Sequence, residues 1–154
     1  MIWPSTLRVP AHTDKEVNRK IEQTTIKKIA SAALAGPAAL DRRLAELERE
    51  WDIERTLEAN AGFFSLLGLG LGRTVDRKWF LLPTVVAGFL FQHAVQGWCP
   101  PVPLFRRLGF RTRTEIDQER YALKALRGDF KNVPAITDEK LFAQIGALLQ
   151  TVRR

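Results

Sequence analysis

The most informative stretch of this chain is residues 79–98, which read WFLLPTVVAGFLFQHAVQGW and carry no formal charge. As an α-helix, a stretch of this length rises about 30 Å, the thickness of the hydrocarbon core of a bilayer. A tryptophan stands at each end, Trp79 and Trp98, where the indole N–H would reach the headgroup region. The stretch therefore predicts a membrane-spanning helix with an aromatic anchor at both interfaces.

A second, shorter apolar stretch precedes it. Residues 59–72, ANAGFFSLLGLGLG, are also uncharged and would rise about 21 Å as a helix, less than a full span. Snorkelling of Arg73 or local thinning of the bilayer would make up the difference. The polar connection at residues 73–78 suits an antiparallel helical hairpin. A re-entrant first arm is the alternative.

Small residues recur along both arms of this predicted hairpin. They let helix backbones approach closely in lipid, where no hydrophobic effect drives helices together. The pattern suits packing within the hairpin and a homodimer seam equally well. It is formed by Ala61, Ser65, Gly68 and Gly72 in the first arm and by Thr84 and Gly88 in the second.

Charged, helix-rich segments flank the apolar block, which divides the chain into residues 1–55, 56–105 and 106–154. The middle segment holds only five Lys, Arg, Asp and Glu residues. In the first segment, Thr13 and Glu16 predict a capping box that opens an amphipathic helix. Gly36-Pro37 would end that helix, and a second helix is predicted over residues 38–57, packed against the first.

The third segment begins with a proline-rich exit at residues 100–103, which we expect to be stiff. Thr112 and Glu115 predict a second capping box, and the helix that follows should end near Gly128. A final amphipathic helix is predicted over residues 137–152, where Leu141, Ile145, Leu148 and Val152 share one side.

The net charge of +7 is concentrated after the apolar block. Arg106 and Arg107 are predicted to anchor the hairpin at the membrane interface, where topology and anionic headgroups both favour basic residues. More Lys and Arg residues flank the hairpin than lie in its loop, so both termini are predicted to be cytoplasmic. Nucleic-acid binding is the weaker interpretation of the basic charge.

The side chains that could take part in a reaction lie near the end of residues 79–98. Cys99 is the only thiol, which excludes an internal disulfide, and the two histidines are far apart in sequence. Helical spacing puts Gln92, Gln96 and Cys99 on one side with His93 adjacent, so the thiol could be reactive; a packed, inert cysteine is the alternative. No nucleotide-binding, metalloprotease or nucleophile-elbow motif is present, so no cofactor, metal site or catalytic residue is predicted.

Residues 55–109 resemble the YgaP-like inner-membrane domain of bacteria, a two-helix transmembrane unit usually classed as of unknown function. The resemblance rests on LEANAGFFSLLGLGLG, on WFLLPTVVAGFLFQHAVQGWCPP and on the LFRRLGF that follows. Some members join this hairpin to a rhodanese sulfurtransferase domain, which implies a membrane anchor and a role in handling sulfur. This chain has no rhodanese active-site loop, so only Cys99 would carry such a role.

Together these features predict an all-α, non-enzymatic protein of the bacterial inner membrane. It would be a two-helix transmembrane hairpin flanked by amphipathic cytoplasmic helices, acting as an anchor or scaffold that self-associates or docks a partner in the bilayer. A thiol-dependent sulfur carrier that uses Cys99 is the first alternative. A soluble, basic, helical nucleic-acid-binding protein is the second.

Overall fold

The computed structural model describes residues 6–131 and residue 145. Within these residues the chain is all-α, as the sequence predicts, and contains no strand. A short 3₁₀ helix, Arg77–Phe80, precedes the fifth α-helix. The α-helices are α1 (Arg8–Ala11), α2 (Lys15–Leu34), α3 (Pro37–Arg49), α4 (Ile53–Thr74), α5 (Leu81–Gln96), α6 (Pro101–Arg107) and α7 (Arg113–Arg127).

Helices from both sides of the apolar block form one bundle. Helices α2, α3 and α7 pack against one another, and α6 packs against α2 and α4. The core of the bundle buries Leu40 and Leu47 from α3 with Ile116 and Leu123 from α7. We call α2, α3, α6 and α7 the helical base. The predicted packing of the second helix on the first is confirmed as the contact of α3 with α2.

Helices α4 and α5 form an antiparallel hairpin that starts in the helical base. The first turn of α4 buries Ile53 and Leu57 in a small apolar cluster with Val9, Cys99 and Val102. Beyond that turn, α4 packs mainly against α5 and the 3₁₀ helix. The hairpin is therefore attached to the base at one end, and its loop lies at the other.

Of the two capping boxes predicted from the sequence, one is present in the structure and the other is not. The capping box of Thr112 and Glu115 is present at α7, and Gly128 follows the end of that helix. The box predicted at Thr13 is wrong, because Asp14 caps α2 by accepting from the backbone N–H of Glu16 at 2.8 Å. The Thr13 hydroxyl instead donates to the carbonyl of Val9 at 2.8 Å.

The single helix predicted over residues 38–57 is also wrong. Helix α3 ends at Arg49, and Asp52 begins α4 by accepting from the N–H of Arg55 at 2.7 Å. The N–H of Ile53 donates to the carbonyl of Arg111 at 2.8 Å, so a distant segment fixes the break. The short first arm is thereby part of a 22-residue helix.

The proline-rich exit begins a helix that the sequence did not predict. Pro101 stands in the first turn of α6, where a missing N–H costs nothing because no intrahelical partner exists there. The chain therefore turns into a helix directly after the hairpin. The helix predicted over residues 137–152 lies outside the described residues, apart from Ile145.

Candidate functional site

The two arms of the hairpin cross closely at the Gly68 and Gly72 pair. A Cβ added to Gly68 would lie 2.5 Å from Pro83 Cδ, and one added to Gly72 would lie 2.8 Å from Phe80 Cδ1. Both glycines are buried by these neighbours. The sequence left open whether the two glycines pack within the hairpin or form a homodimer seam. They pack within the hairpin, so their surface is not free to form such a seam.

The other small residues have different surroundings. Ala61 and Ser65 are half-buried on α4. Thr84 and Gly88 are exposed on α5, and a Cβ added to Gly88 would meet nothing within 4 Å. The small-residue step of the second arm therefore lies on the outside of the hairpin and does not face α4.

Large apolar side chains cover the outer surface of the hairpin. Leu66 on α4 is 72% exposed and Phe91 on α5 is 73% exposed. Along α5, which is described throughout, only His93 is buried. Further exposed examples are Phe63, Phe64, Leu67, Leu69, Leu81, Val85, Phe89, Leu90 and Val95. Monomeric soluble proteins rarely leave an apolar surface of this extent uncovered.

One helical segment among the described residues is long and apolar enough to cross a membrane. It is Arg77–Gln96, which combines the 3₁₀ helix with α5. Only 6% of its most apolar part is buried, so it is not the core helix of the bundle. Helix α4 does not meet the same test.

The predicted tryptophan anchors lie at opposite ends of this segment. Trp79 is in the 3₁₀ helix beside the loop and is 42% exposed. Trp98 is half-buried and comes directly after Gly97, which ends α5 at the helical base. Trp98 therefore lies beyond the helix, and the anchoring role of the two tryptophans stays a prediction.

The four residues predicted to share a pocket near the thiol are only partly brought together. Cys99 lies beyond the end of α5, so the helical spacing that related it to Gln92 and Gln96 does not apply. Gln96 is exposed and Gln92 is half-buried. His93 is 4% exposed, and neither of its ring nitrogens has a hydrogen-bond partner among the described residues.

Cys99 is a packed residue of the apolar cluster at the hairpin base. It is 3% exposed and lies among Val9, Ile53, Leu57 and Val102. Burial raises the pKa of its thiol, because the charged thiolate would lose its hydration, and this outweighs the opposing hydrogen bond from the backbone of Val102. The inert alternative therefore agrees better with the structure.

Arg106 does not have the anchoring role predicted for it. Its side chain is fully buried, and Nη1 and Nη2 donate to the Glu115 carboxylate at 2.7 and 2.8 Å. Nη2 also donates to Asn18 Oδ1 at 2.8 Å. The guanidinium therefore joins α6 to α7 and α2 and cannot reach a headgroup, whereas Arg107 is exposed and remains available as an anchor.

The contact of Arg8 with the end of α5 was not found from the sequence. Arg8 Nη1 donates to the carbonyl of Ala94 at 2.9 Å, a favourable position for a cation at a helix C-terminus. Gly97 has a φ of +78°, and a Cβ added there would lie 2.6 Å from Arg8 Cβ. The glycine after α5 signalled a helix end, but nothing in the sequence identified α1 as its neighbour.

A buried ionic cluster in the helical base was also missed. Glu119 is fully buried and accepts from Arg43 Nε at 2.7 Å, and it accepts from Arg111 as well. Arg111 also donates to both carboxylate oxygens of Glu50 at 2.8 Å. The cluster joins α3, the residue that follows it, the loop before α7 and α7 itself, so it stabilises the base and leaves little of this charge for a ligand.

No three His, Cys, Asp or Glu side chains in the described part of the chain are grouped so as to hold a metal ion. Comparisons of the chain with protein-family models, with curated proteins and with solved structures found no match. The resemblance to the YgaP-like domain therefore stays a prediction that rests on the residues that carry it.

Proposed function

We propose that the chain is a membrane anchor or scaffold whose α4–α5 hairpin lies in a bilayer and whose helical base lies in the cytoplasm. The observation that carries this proposal is the uncovered apolar surface of the hairpin beside a well-packed, charged base. Burial of one large apolar side chain is favoured by about 1.5 to 3 kcal/mol over its exposure to water. Lipid would supply the missing burial.

The length of the hairpin supports a spanning arrangement. Helix α4 has 22 residues and would be about 33 Å long, although part of its first turns is packed in the base. The segment Arg77–Gln96 has 20 residues. Their loop carries Asp76, Arg77 and Lys78, which a position in the opposite headgroup region would keep hydrated.

The orientation with both termini in the cytoplasm rests on the distribution of Lys and Arg residues. More of them flank the hairpin than lie in its loop, and the rule counts basic residues whether or not they form ion pairs. The assignment to a bacterial inner membrane rests on the resemblance to the YgaP-like domain. Self-association or docking of a partner would use surfaces left open, such as the outer face of α5 at Thr84 and Gly88.

Extraction of membranes with alkaline carbonate tests this proposal. We expect the wild-type protein to stay in the membrane pellet and to leave it only in detergent. A double variant, Leu66→Lys with Phe91→Lys, places charges at two exposed positions. In lipid each lysine would cost about 2.5 to 3.5 kcal/mol at a helix centre, so the variant should lose membrane integration.

The matched control is Leu34→Lys, because Leu34 is 90% exposed on the helical base. This change should leave membrane integration as in the wild type. Release of the wild-type protein by carbonate would contradict the proposal, as would full membrane retention of the double variant.

A further inference from the structure

A basic cleft lies between α2 and the C-terminal end of α6. Its volume is about 420 Å³, and the cations at its rim are Lys20, Lys28 and Arg107. All three are exposed, and none forms an ion pair within the described residues. They contrast with Arg106 and Arg111, which are buried in the wall of the cleft and whose charges are balanced by the half-buried carboxylates of Glu115 and Glu50.

The unbalanced cations of this cleft suit an anionic group. Lys20 and Lys28 are eight residues apart on α2, or about 12 Å along its axis, and Arg107 faces them from α6. An arginine and two lysines that line one cleft favour phosphate, which accepts hydrogen bonds from several donors at once. The ion pairs of Arg106 and Arg111 hold the wall of the cleft in place.

An apolar groove lies at the other end of α6. It also has a volume of about 420 Å³ and is bounded by both arms of the hairpin and by α6. Its walls include Ala61, Phe64, Phe89, Leu90 and Leu104. A groove with these walls suits a hydrocarbon chain.

Helix α6 connects the groove to the cleft. Leu104 lines the groove and Leu108, four residues later, lines the cleft, so about 6 Å of helix separates them. Both leucines are exposed, at 58% and 66%. The surface of α6 between the two cavities is therefore apolar, and it leads to the cations at the rim of the cleft.

We propose that an anionic glycerophospholipid binds across α6, with its phosphate in the cleft at Lys20, Lys28 and Arg107 and an acyl chain in the groove. This inference rests on the proposed membrane position of the hairpin. An isolated phosphate would use the cleft alone, and a nucleic acid would have no use for the adjoining apolar groove. A phospholipid of negative charge uses both.

The test measures lipids retained by the purified full chain in neutral detergent, by native mass spectrometry. Phosphatidylglycerol and phosphatidylcholine are added in equal amounts, and inorganic phosphate is added in a separate arm. We expect selective retention of phosphatidylglycerol that 10-fold excess inorganic phosphate does not displace. Equal retention of the two lipids, or displacement by inorganic phosphate, would overturn the proposal.

Two sets of variants assign the site. Lys20→Gln, Lys28→Gln and Arg107→Gln together should weaken phosphatidylglycerol binding about a hundredfold, since each basic residue near an anionic lipid contributes about fivefold. The control removes three exposed cations elsewhere, by Lys27→Gln, Arg42→Gln and Lys131→Gln, and should keep the selectivity. An equal loss in both sets would overturn the assignment to the cleft.

The groove is tested separately by Ala61→Phe, which fills it without a change of charge. We expect this variant to lose phosphatidylglycerol while it stays folded by circular dichroism, and unchanged binding would overturn the placement of the acyl chain. Alkaline carbonate extraction of the same variants separates the two proposals. A protein that stays in the membrane but shows no lipid selectivity contradicts only the lipid site.

Discussion

Gly68 lies so close to Pro83 that a Cβ at position 68 would come within 2.5 Å of the proline Cδ. We therefore expect Gly68→Ala to destabilise the hairpin by about 1 to 3 kcal/mol, the usual cost of overpacking. Gly88→Ala is the matched control, because that position is open and alanine favours a helix by up to about 1 kcal/mol. Thermal unfolding in detergent measures both changes. Equal effects of the two substitutions would contradict the crossing.

Arg106 and Arg107 are neighbours in sequence with opposite surroundings. Arg106→Gln should lower the free energy of unfolding by about 3 to 5 kcal/mol, because it leaves the Glu115 carboxylate without its buried partner. Arg107→Gln should change it by no more than about 0.5 kcal/mol, since that side chain is exposed. Denaturant titration of both variants is the measurement. A similar loss in each would show that Arg106 is not the buried member of the pair.

Glu119 should make the stability of the base depend on acidic pH. Burial opposes its ionisation, but the hydrogen bonds from Arg43 and Arg111 together outweigh this and hold the pKa of Glu119 below its usual value. A carboxylate whose pKa is lowered by folding stabilises the protein above its unfolded pKa, and this stability is lost as the pH falls through the folded value. The melting temperature should therefore fall as the pH is lowered from 7 to 3.

The variant Glu119→Gln separates this carboxylate from the others. It should be less stable than wild type at pH 7, because Arg43 and Arg111 lose a buried partner, and its stability should fall less steeply with acid. Glu46→Gln is the control, since Glu46 pairs with the same Arg43 but its side chain is 64% exposed. If the stability of Glu119→Gln falls with acid as steeply as that of the wild type, this role is contradicted.

Cys99 should behave as an inert thiol in the folded protein. Its burial and the raised pKa of the thiol both disfavour the reactive thiolate. We expect iodoacetamide at pH 7.5 to label it at least tenfold more slowly than it labels the protein in denaturant, and no persulfide to accumulate with a sulfane donor. Rapid labelling of the folded protein would contradict this expectation and favour the sulfur-carrier alternative.

Local chemistry in the sequence was enough to predict several parts of the fold. Gly36-Pro37 separates α2 from α3, and the box of Thr112 and Glu115 begins α7, because the residues that act on the backbone are only a few positions apart. The apolar periodicity of α3 likewise predicted its packing on α2. These features depend on neighbours along the chain.

The features that were missed depend on distant partners. The sequence could not distinguish Arg106 from Arg107, because the difference comes from Glu115 and Asn18 in other helices. The end of α3 was missed for the same reason. The break between α3 and α4 is fixed by the carbonyl of Arg111, which accepts a hydrogen bond from the N–H of Ile53. Reactivity at Cys99 was predicted from a helical spacing that relates it to Gln92 and Gln96, whereas the residues that surround the thiol are apolar.

The position of the hairpin relative to a membrane is the central claim, and cysteine accessibility in bacterial spheroplasts tests it most directly. Arg77→Cys in the loop and Arg42→Cys in the helical base are each made in a Cys99→Ser background, since both positions are exposed. A membrane-impermeant maleimide should label the Arg77→Cys variant in intact spheroplasts and the Arg42→Cys variant only after lysis. Labelling of both variants only after lysis would show that the hairpin does not cross the membrane.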